Sequence, residues 1–166
     1  MIAYSAPRKL TRADDRSTFV SGAPELDEWF AKYAWQNQTA NNATTYVTLA
    51  GGRVAGYYAI AMAAVARDAA PDALAKPRPT QIPCILLARL AVDQLDRGAG
   101  LGAGLLRDAL LRSVLLSRSI GAAAVLVHCR DEAARSFCLH NGDFLPSPVD
   151  DLLLMAPIRA LERYAD

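Results

Sequence analysis

Cysteine is scarce in this chain: Cys84, Cys129 and Cys138 are the only three in 166 residues. Their number is odd, no two stand at CxxC spacing, and all lie in or beside apolar segments. A disulfide framework and a thiolate metal site are thereby excluded, and reduced thiols are expected. No long apolar run opens the sequence as a secretory signal would, and none elsewhere approaches the length of a membrane span, so a soluble, cytoplasmic protein without membrane contact is expected. Charge of one sign is also missing. Eighteen Lys and Arg stand against seventeen Asp and Glu, a net of +1, which neither announces nor excludes a nucleic-acid partner, because a local basic face is compatible with a neutral total. Internal repeats and low-complexity blocks are absent. What is present is 52% hydrophobic and 21% charged residues, the composition of a folded chain, and residues 1–166 are expected to form one domain with a substantial core.

Taken in order, Ala3 to Leu10 reads as a short strand. After a polar connection, Pro24 suits the first position of a helix. Leu26, Trp29, Phe30, Tyr33 and Ala34 then recur at three- and four-residue steps, an amphipathic helix to about Gln38 that packs on a sheet. Thr44 to Ala50 and Val54 to Arg67 read as strands joined by a Gly51-Gly52 hairpin. Pro71, Pro77, Pro79 and Pro83 mark a linker with room for one helical turn around Asp72 to Ala75. Leu86 to Val92 is a buried strand broken only by Arg89, and a helix runs from Leu101 through Leu105, Leu106, Ala109, Leu110 and Leu116. Ala122 to Cys129 is another buried strand, and Asp131 can cap a helix from Glu132 to about His140 that Asn141-Gly142 ends. A last strand lies near Leu152 to Arg159. This order predicts an α+β fold, a mixed central sheet flanked by helices on both faces.

Between strand and helix, Gly98, Gly100, Gly102 and Gly104 fall within seven positions. They free the backbone where it bends and open a helix N-terminus, whose unpaired N–H groups and positive dipole end suit a phosphate or diphosphate. A purely structural turn uses glycine in the same way. A P-loop is excluded because no G-K-[ST] follows. A dinucleotide fingerprint can be spelled loosely from Gly98, Gly100 and Ala103, but Ser117 to Arg130 holds no acidic residue for a ribose. Arg97-x-x-Gly100-x-Gly102 after a strand ending "LAVD" resembles the acyl-CoA-binding motif of the GNAT N-acetyltransferases. "FVSGAPELDEWFAKYAWQNQ" (19–38), "IPCILLARLAVD" (82–93) and "FCLHNGDFLPSP" (137–148) are similar to signatures of one GNAT branch, the toxins of type II toxin-antitoxin pairs that acetylate aminoacyl-tRNA.

The resemblance implies the GNAT fold and transfer of acetyl from acetyl-CoA, without metal, to the α-amine of aminoacyl-tRNA, which blocks translation. It implies a ribbon-helix-helix antitoxin, operator DNA reached only through that antitoxin, and a homodimer. By the same resemblance, the amides of Arg97, Gly98, Ala99, Gly100, Leu101 and Gly102 hold the CoA diphosphate, and the backbone of Leu90, Ala91 and Val92 lies along pantetheine. A backbone N–H there polarises the acetyl carbonyl.

The branch places a tyrosine, as proton donor, where this chain has Cys138. A thiol of ordinary pKa near 8.5 can give up a proton but is shorter than a phenol, and cysteine also serves as a small buried hydrophobe. His140 points to a different side of the helix from residue 138. His128, at a strand end, could accept the amine proton. Asp143 stands as an insertion before Phe144. Arg8, Lys9, Arg12, Lys32, Arg53, Arg67, Lys76, Arg78 and Arg89 are candidate tRNA phosphate contacts. Arg89 leads them because it interrupts an apolar strand, and Lys32 and Arg78 are singled out with it as candidates. Two other readings stay open: a GNAT that acetylates a small-molecule or protein amine, and a catalytically impaired CoA-binding partner of the antitoxin acting in operator binding.

Overall fold

In the computed structural model, which describes residues 2–166, the strands form one seven-stranded sheet in the order β1-β2-β3-β4-β5-β7-β6. In chain order the elements are β1 (Arg8–Lys9), α1 (Pro24–Lys32), α2 (Ala34–Thr39), β2 (Thr44–Ala50), β3 (Arg53–Ala66), α3 (Asp72–Ala75), β4 (Gln81–Val92), α4 (Leu101–Ser117), β5 (Ala124–His128), α5 (Glu132–Asn141), β6 (Leu145–Pro146), β7 (Leu153–Pro157) and α6 (Ile158–Leu161). The sheet is mixed: β4 and β5 are parallel, while the β1–β2, β2–β3, β5–β7 and β6–β7 pairs are antiparallel. The expected α+β class is therefore observed.

The chain divides into two compact units. One holds the residues up to Ala61 together with Ala88–Leu106, the other Met62–Leu87 and Arg107–Asp166. In the first, Gly51 and Gly52 both take positive φ, 56° and 88°, the geometry of a tight hairpin turn matched to strand twist. The core of this unit is aromatic. Phe30 and Tyr57 stack at 4.3 Å, and Phe19 meets both edge-on at 5.1 and 5.5 Å. Leu10, Val47, Val54 and Ala91 fill around them. The Tyr57 hydroxyl is satisfied by donating to the Leu26 carbonyl at 2.8 Å, which fastens α1 to β3. In the second unit Val65, Leu74, Ile82, Cys84, Leu126, Leu153 and Met155 make a separate aliphatic cluster.

Several boundaries differ from those expected. The first strand shortens to Arg8–Lys9 with an isolated bridge from Tyr4 to Ala50, since Pro7 has no N–H to continue a ladder. The helix expected through Gln38 breaks at Tyr33, whose carbonyl accepts both the backbone and the side-chain N–H of Asn37. β4 begins at Gln81, inside the stretch that its prolines had marked as linker. Pro83 is tolerated because its carbonyl still accepts the N–H of Ala123 at 2.9 Å. Near the C-terminus the final strand stops at Pro157 and the chain turns into α6.

Candidate acetyl-CoA site

The exit from β4 is fixed by two buried carboxylates. Asp93 is 3% exposed. Its side chain accepts the N–H of Leu95 at 2.9 Å and of Val20 at 3.0 Å, while its own N–H donates to the Ala55 carbonyl. A short 3-10 turn, Gln94–Asp96, follows. Asp96, 2% exposed, receives Arg53 through two bonds of 2.9 and 3.1 Å and the Tyr4 hydroxyl at 2.9 Å. The Arg53 guanidinium beside it, aided by the Tyr4 hydroxyl, holds its carboxyl below the usual range against the opposing effect of burial.

Gly98 and Gly100 then take φ of +82° and +75°, which a side chain would strain, and a Cβ at either would meet nothing within 4 Å. The turn is thus bent by glycine and open on the side where side chains would stand. α4 starts at Leu101, and its first turn carries no acidic residue. Its leading N–H groups have no partner within the helix and face no carboxylate of that turn, so they suit an anion. The exposed Gly98, Ala99 and Gly100 and the half-buried Leu101 and Gly102 line this bend. Arg97 contributes differently from what its place in the motif suggests. Its guanidinium donates to the Ser21 carbonyl and stands where a Cβ on Gly22 would fall. The side chain therefore straps the loop before α1, leaving the backbone of Arg97 to the bend.

The strand feeding the bend presents an ordered edge. Asp93 N–H bonds to Ala55 O, and Ala91 O lies 3.2 Å from the Cβ position of Gly56, so residues 91 and 93 direct their backbone groups toward β3. Strand alternation turns those of Leu90 and Val92 to the opposite edge. Arg89 lies over the Trp29 ring at 4.4 Å, and Trp29 stacks in turn on Tyr57 at 6.2 Å. The charge that interrupts the apolar strand is thereby held by an aromatic face.

Cys138, on α5, belongs to the second unit. The helix is capped by Asp131, which accepts the N–H of Ala134 at 2.8 Å. Cys138 is 5% exposed. Burial and the neighbouring Cys129 thiol push its pKa up to about 12. His128 and His140 are both exposed. Asp143 pairs with Arg163 at 2.5 Å, beside Phe144, whose ring closes over Gly142.

The candidate phosphate contacts separate into two groups. Arg8 binds Asp14 through two 2.9 Å bonds, and Arg53 is held by Asp96; both are neutralised by carboxylates, and Arg53 is a structural partner of the bend. Lys32 is exposed and pairs loosely with Glu28 at 3.3 Å. In the second unit, Arg67, Lys76 and Arg78 line one open cleft. Arg67 donates to the Arg78 carbonyl and Arg78 to the Leu74 carbonyl, which orients the guanidiniums without cancelling their charge. Among the described residues no group of three or more His, Cys, Asp or Glu could hold a metal. No described helix is long and apolar enough to cross a membrane.

Sequence reasoning missed Tyr4, Arg53 and Asp96 as a unit, the capping of the bend by Asp93, and Gly56. Asp93 and Asp96 at a three-residue spacing flanking a turn were the one visible signal; the partners lie 43 and 92 residues away from Asp96.

A mixed sheet with a glycine bend opening a long helix is the framework of the GNAT N-acetyltransferases. Over 164 residues the chain is 46% identical to a tRNA-acetylating toxin of Mycobacterium tuberculosis, spanning 97% of this chain and 98% of that protein. Among solved structures it is similar to AtaT complexed with acetyl-methionyl-tRNAfMet, with a TM-score of 0.88 and 25% identity over 97% of this chain and 98% of that one. It is also similar to AtaTR bound with AcCoA, with a TM-score of 0.82 and 25% identity over 95% and 96%. No family model matches the chain. The chain belongs to the tRNA-acetylating toxin family of GNAT acetyltransferases.

Proposed function

We propose that residues 1–166 act as one acetyltransferase domain in the cytoplasm, transferring acetyl from acetyl-CoA to the α-amine of aminoacyl-tRNA. The observation that carries this reading is the glycine bend between β4 and α4, with its two positive-φ glycines and carboxylate-free helix start. Backbone N–H groups from Arg97 to Gly102 bind the diphosphate. The outward edge at Leu90 and Val92 aligns the pantetheine arm and directs an N–H at the thioester carbonyl, where negative charge develops as the amine adds. Acetyl-CoA supplies the activated acyl group, so positioning beside a neutral amine provides much of the rate.

The departing sulfur needs a proton only in the end. A thiol pushed up to about 12 by burial and the neighbouring Cys129 is a weaker acid than an ordinary alkyl thiol, so proton transfer from Cys138 to the departing thiolate is uphill. As the new N–C bond forms and the C–S bond breaks, the nitrogen sheds one proton, which reaches the departing thiolate through water, and Cys138 serves α5 as a packed apolar group. On the RNA side, Arg89 over Trp29, the cleft cations Arg67, Lys76 and Arg78, and Lys32 are the phosphate contacts. A ribbon-helix-helix antitoxin and a homodimeric state complete the reading, on the family's pattern.

The test is mass spectrometry of charged tRNA after incubation with the protein and labelled acetyl-CoA. Label on the α-amine supports the reading. Acetyl-CoA binding without label on tRNA, but with turnover on a free amine, replaces it with a small-amine acetyltransferase. Binding with no turnover on either replaces it with a regulatory partner of the antitoxin.

A further inference from the structure

We infer that Tyr4, Arg53 and Asp96 form a positioning network that sets the diphosphate-binding bend, a role resting on the acetyl-CoA reading above. Asp96 is the last residue of the 3-10 turn and directly precedes Arg97. Its side chain has no exposed area, whereas that of Arg53 is 34% exposed. Both carboxylate oxygens are occupied: Oδ2 accepts Arg53 Nη1, and Oδ1 accepts Arg53 Nη2 and the Tyr4 hydroxyl.

A buried carboxylate is costly unless its charge and lone pairs are matched. Here the match is complete, and its parts come from separate pieces of the chain. Arg53 opens β3 immediately after the Gly51-Gly52 turn, and Tyr4 bridges to Ala50 at the other side of the same hairpin. The hairpin and the N-terminal segment therefore converge on Asp96 at the entry to the bend, while Asp93 fixes the point three residues earlier through Leu95 and Val20. The two anchors leave Gly98 and Gly100, both at positive φ, to turn the chain between the clamped 3-10 turn and α4.

The network also has an electrostatic part. A carboxylate this near a diphosphate site opposes the ligand unless it is neutralised. The paired geometry with Arg53 removes that opposition and aims the carboxylate away from solvent. None of the three side chains is needed to touch acetyl-CoA; they act through the backbone they hold.

The experiment compares two acyl donors on one amine acceptor: acetyl-CoA, and S-acetylpantetheine, which carries the same thioester but no diphosphate. In wild type, acetyl-CoA has the lower KM. Asp96→Asn is expected to raise the KM for acetyl-CoA about tenfold through misplacement of the bend, with kcat within about twofold of wild type and the KM for S-acetylpantetheine unchanged within about twofold. Tyr4→Phe, which removes one hydrogen bond and no charge, folds as wild type and shows about a threefold rise for acetyl-CoA alone. Arg53→Lys keeps the charge but loses the two-pronged geometry, and does not restore the wild-type KM. An equal rise for both donors, or no rise in any of the three variants, overturns the inference. If wild type itself does not distinguish the two donors, the diphosphate reading of the bend fails, and this inference falls with it.

Discussion

Gly56 offers a sharp test of how the start of α4 is seated. It lies in β3, and a Cβ built there would come 2.7 Å from Leu105 Cδ1, 3.2 Å from the Ala91 carbonyl oxygen and 3.4 Å from Thr48 Cγ2. Leu105 and Thr48 are each 1% exposed, so neither can swing into solvent, and the third neighbour is backbone. Gly56→Ala must therefore push the first turns of α4 outward. Overpacking of this kind costs about 1–3 kcal/mol. At roughly 2–4 °C per kcal/mol for a chain of this size, a cost of about 2 kcal/mol lowers Tm by about 4–8 °C. Because the displaced turns carry the amides assigned to the diphosphate, calorimetry should also register weaker acetyl-CoA binding. The control is Gly104→Ala, in α4 itself, where a Cβ meets nothing within 4 Å. There alanine removes the helix penalty of glycine and stabilises by about 0.5–1 kcal/mol. If Gly56→Ala leaves both Tm and binding unchanged, or if Gly104→Ala lowers Tm, the packing argument is wrong.

Other outcomes follow from the same structure. Cys138→Ala should leave kcat for acetyl transfer within about threefold, because a thiol raised to about 12 is no donor to a thiolate; a fall of a hundredfold would restore it as the acid. The Arg8 guanidinium holds the Asp14 carboxyl down at about 2. The folded state therefore binds fewer protons than the unfolded one, and the stability it carries is complete above about pH 4 and lost as pH falls toward 2. Asp14→Asn should flatten that part of an acid-unfolding curve, and an unchanged curve refutes the assignment. Replacing Arg67, Lys76 and Arg78 together by alanine should reduce the slope of log affinity for tRNA against log salt by about 2–3; an unchanged slope would place the RNA elsewhere.

How much the sequence reveals depends on whether a signal is local. The glycine bend, the helix cap at Asp131, the Gly51-Gly52 hairpin and the stripe from Leu26 to Phe30 are legible because spacing over a few neighbouring residues carries them, whereas the break at Tyr33 that separates Ala34 from that stripe left no such mark. The proline-marked linker misled for a physical reason: a strand can hold Pro83 when only its carbonyl is required, and spacing cannot tell which group a ladder needs. Arg53 was grouped with the phosphate contacts because an arginine shows its charge in a sequence but not its partner. Asp96 supplies that partner across 43 positions. Arg97 shows the same limit in reverse, since its motif marks the bend correctly while its guanidinium serves the loop at Ser21.

The pile formed by Arg89, Trp29, Tyr57 and Phe30 makes the protein its own optical reporter. Only two tryptophans are present. Trp35 packs against the same cluster, but only Trp29 lies beneath the Arg89 guanidinium. Any polyanion that draws this cation off the indole changes the electric field across that ring, so its emission shifts without a dye or a label.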